Sequence, residues 1–319
     1  MSGAEIPVRV ARVETVAERI KRIRFVPVDG QPLPTFSAGA HTVVTMRDGN
    51  KTIKNPYSLM GKLGDTTGYE ISVLKTTNSH GGSLFVHDKL YEGAFVTISQ
   101  PSNLFALDLR ARKHLLIAGG IGITPIMAMA DQLSSINAPF ELHYSTRTPS
   151  SGAYVDDLKQ KYGRKMHHYQ TVSTQRIDLA NLLRQQPLGT HLYVCGPDVM
   201  IEDVLRLATE AGWPSQHLHA EHFTAPRGGL PFDVELAKTG KTIRVQEDES
   251  ILQALEAAGL EPAYLCRGGA CGQCETGVVA CDGGILHYDH YLTDEEKQDG
   301  RKIMICVSRI KGQRITLDM

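Results

Sequence analysis

The chain has 319 residues, enough for two or three domains that each bury an apolar interior. Lys and Arg number 34 against 35 Asp and Glu, which excludes the strongly basic balance of a nucleic-acid binder and makes any charged docking patch local. No apolar run approaches the roughly 20 residues that span a bilayer, and the first ten residues lack a signal peptide's apolar core, so the expectation is a cytoplasmic protein with no membrane and no nucleic-acid partner.

The first hundred residues alternate apolar and polar side chains in short runs, such as Val8-Arg9-Val10-Ala11-Arg12-Val13 and Glu70-Ile71-Ser72-Val73-Leu74-Lys75, broken by turns with Gly and Pro. That pattern predicts an antiparallel sheet or small barrel. One helix interrupts it over 82–90, preceded by Asn78-Ser79-His80-Gly81, whose backbone N–H groups suit an anion. From His114 onward short apolar runs (115–118, 141–144, 191–194) precede helical stretches (124–133, 199–211), the rhythm of a parallel sheet with crossover helices. Residues 225–231 read as a linker punctuated by Pro and Gly. Beyond it, 232–237 and 242–245 form a predicted hairpin and 251–259 a short helix. The run Asp294-Glu295-Glu296-Lys297 reads as an exposed helix face, and His167-His168 and His287-Tyr288-Asp289-His290 as solvated loops.

Five of the six cysteines fall in the last 54 residues, a ligand-like clustering. Cys266, Cys271 and Cys274 are spaced C-x4-C-x2-C and Cys306 follows 32 residues later, the plant-type [2Fe-2S] pattern. Two irons with bridging sulfides need four thiolates, and the small residues between the cysteines let backbone N–H groups approach the sulfurs. A structural zinc site is the alternative use of four cysteines, although zinc ribbons pair their ligands at two short spacings. Cys281 is then a spare, half-buried thiol.

Gly119-Gly120-Ile121-Gly122-Ile123-Thr124-Pro125 follows a predicted strand and opens a helix, where the chain can approach a pyrophosphate. It is not a GxGxxG fingerprint, and pure packing is the other reading. Val194-Cys195-Gly196-Pro197 ends a later strand about 75 residues on, and two such turns at neighbouring strand ends make a crevice. Together they resemble the ferredoxin-NADP reductase superfamily. The likeness implies that Gly120, Gly122, Thr124, Pro125, Cys195, Gly196 and Pro197 lie at the dinucleotide. Arg147, after the second strand, is either a partner for a 2′-phosphate or solvated, and the resemblance favours NADH.

Asn55-Pro56-Tyr57-Ser58-Leu59 is similar to that superfamily's R-x-Y-S flavin motif, which implies Tyr57 along the flavin, Ser58 at the nitrogen that accepts hydride, and Ser58 and Cys195 as the catalytic pair. Asn55 stands where the motif has arginine, and His80 where a basic residue often precedes the Gly81-Gly82-Ser83 element. One lost charge-assisted hydrogen bond is worth about 1.5–3 kcal/mol, which weakens flavin binding roughly 10- to 100-fold without abolishing it. Backbone N–H groups of Gly81, Gly82 and Ser83 remain, and Lys54 adjoins the missing charge. Glu221-His222-Phe223 resembles the aromatic edge of the reductase module, which implies Phe223 against the other flavin face.

Domain order resembles the phthalate dioxygenase reductase family across the whole chain. The likeness implies an FMN-binding antiparallel β-barrel (1–110), an α/β parallel-sheet NAD domain (111–224), a linker (225–231) and a C-terminal β-grasp ferredoxin (232–319). It implies FMN, NADH and a [2Fe-2S] cluster as cofactors, and a monomer that donates electrons in a transient complex to a Rieske-type oxygenase. A haem-thiolate oxygenase as acceptor, or a non-catalytic protein that has lost flavin, are the other readings.

Overall fold

The computed structural model describes residues 5–49, 51–76, 81–173, 176–223 and 228–319. His80 and part of the expected linker lie outside the described residues. The chain divides into two compact bodies, residues 3–222 and residues 223–319.

The first body begins with β1 (Ile6–Ala17), β2 (Ile20–Pro27), β3 (Ala40–Asp48), β4 (Lys51–Ser58), β5 (Tyr69–Leu74), the one short helix α1 (Gly82–Asp88), β6 (Phe95–Ile98) and β7 (Ser102–Asn103). The strands follow the order β4-β3-β6-β1-β2-β5, all neighbours antiparallel, with β7 added to β3. A bridge between Met60, just after β4, and Glu70 on β5 joins the two end strands and closes the barrel. Alternation dictates its interior: Val8, Val10, Ile23, Phe25, Val44, Met46, Ile71 and Val73 all point into one buried cluster.

The same body continues with β8 (Lys113–Gly119), α2 (Ile123–Ser135), β9 (Phe140–Thr146), α3 (Val155–Tyr162), β10 (Met166–Gln170), α4 (Leu179–Arg184), β11 (Thr190–Cys195), α5 (Asp198–Glu210) and β12 (Leu218–Glu221). These strands form a wholly parallel sheet in the order β10-β9-β8-β11-β12. Its central strand reads Leu115-Leu116-Ile117-Ala118 because both faces are covered, α2 packing in one apolar cluster and α5 in another. A row of rings lines the β8–β11–β12 side. His114 stacks on Tyr193, Tyr193 on His219 and His191 on His217, and Nδ1 of His191 and Nε2 of His219 share a hydrogen bond of 3.1 Å. His167 and His168 belong to β10, not to a loop. His167 stacks on His143, and His168 Nε2 lies 2.9 Å from Thr146 Oγ1.

The second body contains β13 (Phe232–Leu236), β14 (Thr242–Val245), α6 (Ile251–Ala257), β15 (Glu275–Cys281), β16 (Ile285–Leu286), α7 (Asp294–Asp299), β17 (Lys302–Met304), β18 (Arg309–Ile310) and β19 (Arg314–Leu317). A mixed sheet runs β14-β13-β19-β15-β17, with β13 and β19 parallel and α6 packed into the same core. Ser250 and Gln253 cap α6 reciprocally, which fixes the start of that helix. The three larger sheets, one antiparallel and closed, one parallel and one of β-grasp type, are the fold class that the sequence implied, and β16 and β18 pair separately as a two-stranded sheet. Among the described residues no helix is long and apolar enough to cross a membrane.

Candidate active site and cluster loop

Within the first body, the ends of β4, β8, β11 and β12 supply the polar residues that the sequence singled out. On β4, Asn55, Pro56, Tyr57 and Ser58 face Val44, Val43, Thr42 and His41 of β3. Pro56 lacks an N–H and is tolerated because β4 is an end strand of the sheet path. The Asn55 amide packs against the start of α1, where a Cβ on Gly82 would meet its nitrogen at 2.3 Å. Ser83 is buried, and its hydroxyl lies 3.0 Å from Thr76 Oγ1. The element therefore presents backbone more than side chain.

On the parallel sheet, Cys195 pairs with Ala118 of β8 on one side and with Glu221 of β12 on the other. A Cβ on Gly122 would sit 2.3 Å from the Cys195 carbonyl oxygen and 2.7 Å from the Gly196 nitrogen, so only glycine lets the two turns touch. One on Gly119 would collide with Met200 Sδ at 2.6 Å and with Pro197 at 2.8 Å. Gly120 has a left-handed φ of 54°, and Thr124 and Pro125 are buried in the first turn of α2, with Thr124 Oγ1 donating to the Ile121 carbonyl. Arg147 is exposed after β9.

Glu221 was not singled out from sequence as a functional residue. Burial pushes its carboxyl up to about 8, and the neighbouring Ser58 hydroxyl only partly offsets this. No hydrogen bond of ordinary geometry joins them: Ser58 Oγ, Glu221 Oε2 and Tyr57 OH find no hydrogen-bond partner among the described residues. Cys195 is fully buried, and its thiol is pushed well up, by burial first and then by Glu221. Uncommitted buried hydroxyls beside a neutral acid, next to two glycine turns, fit a polar ring system and a pyrophosphate. The signal for Glu221 was its place at a strand end beside the strand of Cys195. Phe223 follows in the second body and is 45 % exposed.

In the second body, Cys266, Cys271, Cys274 and Cys306 converge. The Cys266 thiol is within hydrogen-bonding reach of those of Cys271 and Cys306, and Cys274 of that of Cys306. Backbone N–H groups of Gly268 and Ala270 both point at Cys266 Sγ, at 3.4 Å. Cys266, Cys274 and Cys306 are buried and Cys271 is half-buried. Two neighbouring thiol pairs, 266 with 271 and 274 with 306, match what two irons require, with N–H groups left to tune a sulfur.

Side chains outside the cysteines hold this loop. Arg267 adopts a left-handed φ of 54°, a cost of about 1–2 kcal/mol that its buried pairing with Glu256 of α6 offsets. One bond of that pair, Arg267 Nη1 to Glu256 Oε1, measures 3.0 Å. Gly272 has a φ of 75°, and a Cβ there would lie 2.3 Å from the Tyr291 ring. The stretch 287–290 is a loop with His290 exposed, but Asp289 within it is not solvated. The Asp289 side chain is 0 % exposed, accepts from the Leu292 N–H at 3.0 Å and from Ser308 Oγ at 3.2 Å, and lies with its backbone against Gly269. Asp289 thus braces the cluster loop against the segment that carries Cys306. Cys281 on β15 is half-buried, as a spare thiol should be.

The family described as "2Fe-2S iron-sulfur cluster binding domain" matches residues 234–311. A solved structure of phthalate dioxygenase reductase, described as "a modular structure for electron transfer from pyridine nucleotides to [2Fe-2S]", superposes with a TM-score of 0.88 at 33 % identity, covering 99 % of this chain and 98 % of that one. The chain belongs to the phthalate dioxygenase reductase family. Within that family it is 42 % identical to the carnitine monooxygenase reductase subunit of Acinetobacter baumannii, over 98 % of both chains. It is 43 % identical to the heme-dependent oxidative N-demethylase beta subunit of Ectopseudomonas mendocina, over 98 % of this chain and 99 % of that one. Residues 98–218 also match the family described as "Dimethylamine monooxygenase subunit DmmA-like, N-terminal domain". Like these relatives, the chain is an oxidoreductase of an oxygenase system.

Proposed function

We propose that this protein is the NADH-dependent reductase of a Rieske-type oxygenase, acting in the cytoplasm as a monomer and in transient contact with its partner. The observation that carries the reading is the pairing of two sites in one chain: Ser58, Cys195 and Glu221 gathered at strand ends, and four thiols gathered in one loop. The cofactors are FMN, NADH and a plant-type [2Fe-2S] cluster. When bound, FMN would supply two-electron hydride acceptance and one-electron release, and a cluster held by Cys266, Cys271, Cys274 and Cys306 would supply single-electron transfer at the roughly −400 mV of plant-type sites.

The residues of the chain position and shield. Gly119, Gly120 and Gly122, with the start of α2 at Thr124 and Pro125, admit a pyrophosphate close to the backbone, and Gly196 and Pro197 form the facing wall. Cys195 stays a neutral thiol at the bottom of the crevice. Ser58 Oγ holds a proton available for a flavin nitrogen, and Glu221, neutral below about pH 8, adds no charge to a dry pocket. Tyr57 and Phe223 are assigned to the two flavin faces, and Asn55 with the Gly81, Gly82 and Ser83 backbone to its phosphate. Around the cluster, the exposed Leu265, Ala270, Gln273 and Tyr291 offer a small, largely uncharged exit face suited to brief redox encounters.

The test is anaerobic mixing of flavin-loaded protein with NADH. Bleaching of the flavin followed by an EPR signal from the reduced cluster is expected. Stoichiometric zinc in the purified protein, or flavin that stays oxidised, would end the proposal. A second reading, a haem-containing oxygenase as acceptor, is favoured by the 43 % relative named as a heme-dependent demethylase subunit. Turnover with purified Rieske-type and haem oxygenases separates the two.

A further inference from the structure

Tyr154 adopts a left-handed backbone, with φ 63° and ψ 9°, at the residue that opens α3. A Cβ and a bulky ring make that conformation unfavourable, and it persists only where surrounding contacts dictate it. The bend does not serve the helix, since the Tyr154 side chain makes no capping hydrogen bond. It delivers the ring, 8 % exposed, to the barrel of the same body. The Tyr154 hydroxyl and Ser72 Oγ of β5 lie 2.5 Å apart in a buried hydrogen bond, and the Arg22 guanidinium of β2 lies 6.0 Å from the ring centre. Around this contact Ile20, Ala38 and Met60 of the barrel share one apolar cluster with Ala118 of the parallel sheet and Ile123 and Ile126 of α2. Each end of the bond is tied to one half of the proposed hydride site. Ser72 is two residues along β5 from Glu70, whose carbonyl accepts from the Met60 N–H at 2.8 Å, and Met60 is two residues beyond Ser58. On the other side, Leu158 of α3 is buried in the same cluster as Ile123 and Ile126 of α2, the helix that carries Thr124 and Pro125 after Gly122. A second link, from the Glu18 N–H to the Ser150 carbonyl at 2.9 Å and from Ser150 Oγ to Glu18 Oε2 at 2.7 Å, is exposed, so water competes for it.

We infer that Tyr154 is a positioning residue for hydride transfer: its hydroxyl, bonded to Ser72, registers the dinucleotide-binding sheet against the flavin-binding barrel and so sets the gap that the hydride crosses. The inference rests on the proposed function. Donor and acceptor must be held close and aligned, and a misplacement of about 1 Å caused by a distant change costs on the order of 100-fold in rate. Loss of one hydrogen bond at this boundary loosens the register while leaving the apolar packing in place, so an effect of about tenfold is expected. The dinucleotide itself is held by the turns of the sheet, which Tyr154 does not touch, so its binding should not change.

The experiment uses full-length protein with both cofactors, as Tyr154→Phe, Ser72→Ala and the double variant. The first keeps the ring and the second removes a single oxygen, so the apolar cluster stays filled in all three. Anaerobic stopped-flow mixing at rising NADH concentrations gives the limiting rate of flavin bleaching and the concentration that half-saturates it. Each single variant is expected to show a limiting rate about tenfold lower with half-saturating NADH unchanged. The double variant should be no slower than either single one, because both substitutions remove the same bond. A purely structural role would lower the melting temperature and leave the limiting rate alone, so a wild-type limiting rate in either single variant would overturn the inference. A double variant slowed by the product of the two single effects would overturn it as well. Wild-type flavin that NADH does not bleach would instead overturn the functional reading.

Discussion

The four-cysteine loop and the proposed hydride site are built in opposite ways. Three of the four converging cysteines lie within nine consecutive residues, and the loop bends through left-handed conformations at Arg267, Gly269 and Gly272 to bring them together. The proposed hydride site has no such local element: Ser58, Gly122, Cys195 and Glu221 come from four strand ends across more than half the chain and meet only when a barrel and a parallel sheet are complete. A local site tolerates changes elsewhere in the fold and fails through its own ligands. A dispersed site fails through contacts between elements.

Breaking each side separately tests that contrast. Cys271→Ser removes one ligand and should abolish reduction of a one-electron acceptor protein, while NADH-dependent ferricyanide reduction at the flavin stays within a fewfold of wild type; loss of both activities in folded protein would contradict two separable sites. Gly122→Ala places a methyl group 2.3 Å from the Cys195 carbonyl. It should slow flavin bleaching by NADH roughly 100-fold, through the misplaced crevice, with the dithionite-reduced cluster spectrum unchanged. Ser58→Ala should cost about tenfold in the bleaching rate and leave cluster content alone. The smallest effect is on stability. Glu221 is raised from 4.5 to about 8, so the folded state binds the extra proton and stability falls as pH rises between those values. Glu221→Gln should therefore flatten that decline and raise the melting temperature of flavin-free protein at pH 9 by several degrees; an unchanged pH profile would show that Glu221 titrates normally.

Legibility in the sequence followed the same divide. The cysteine spacing picks out all four thiols that converge because covalent distance does most of the gathering, and barrel alternation and the apolar β8 run announce their sheets. The strand order β4-β3-β6-β1-β2-β5 was hidden, since those pairings join distant segments. The helices α3 and α4 were missed because each is short and buries few residues, Leu158 and Tyr162 in one and Leu183 in the other. Glu221 and Asp289 were passed over for a physical reason: an acid reads as solvated until tertiary contacts bury it. The resemblance pointed to Ser58 and Cys195, while their proximity to Glu221 emerged only from the assembled sheet.

The hydrogen bond between His191 and His219 requires that one of the two rings remain an acceptor, and burial lowers the proton affinity of both. Asp108 opposes that effect, while His217 and His114, and Arg110 for His191, add to it or flank it. Protonation of both rings therefore abolishes this bond and sets two like charges side by side on β11 and β12, the two strands that end in Cys195 and Glu221.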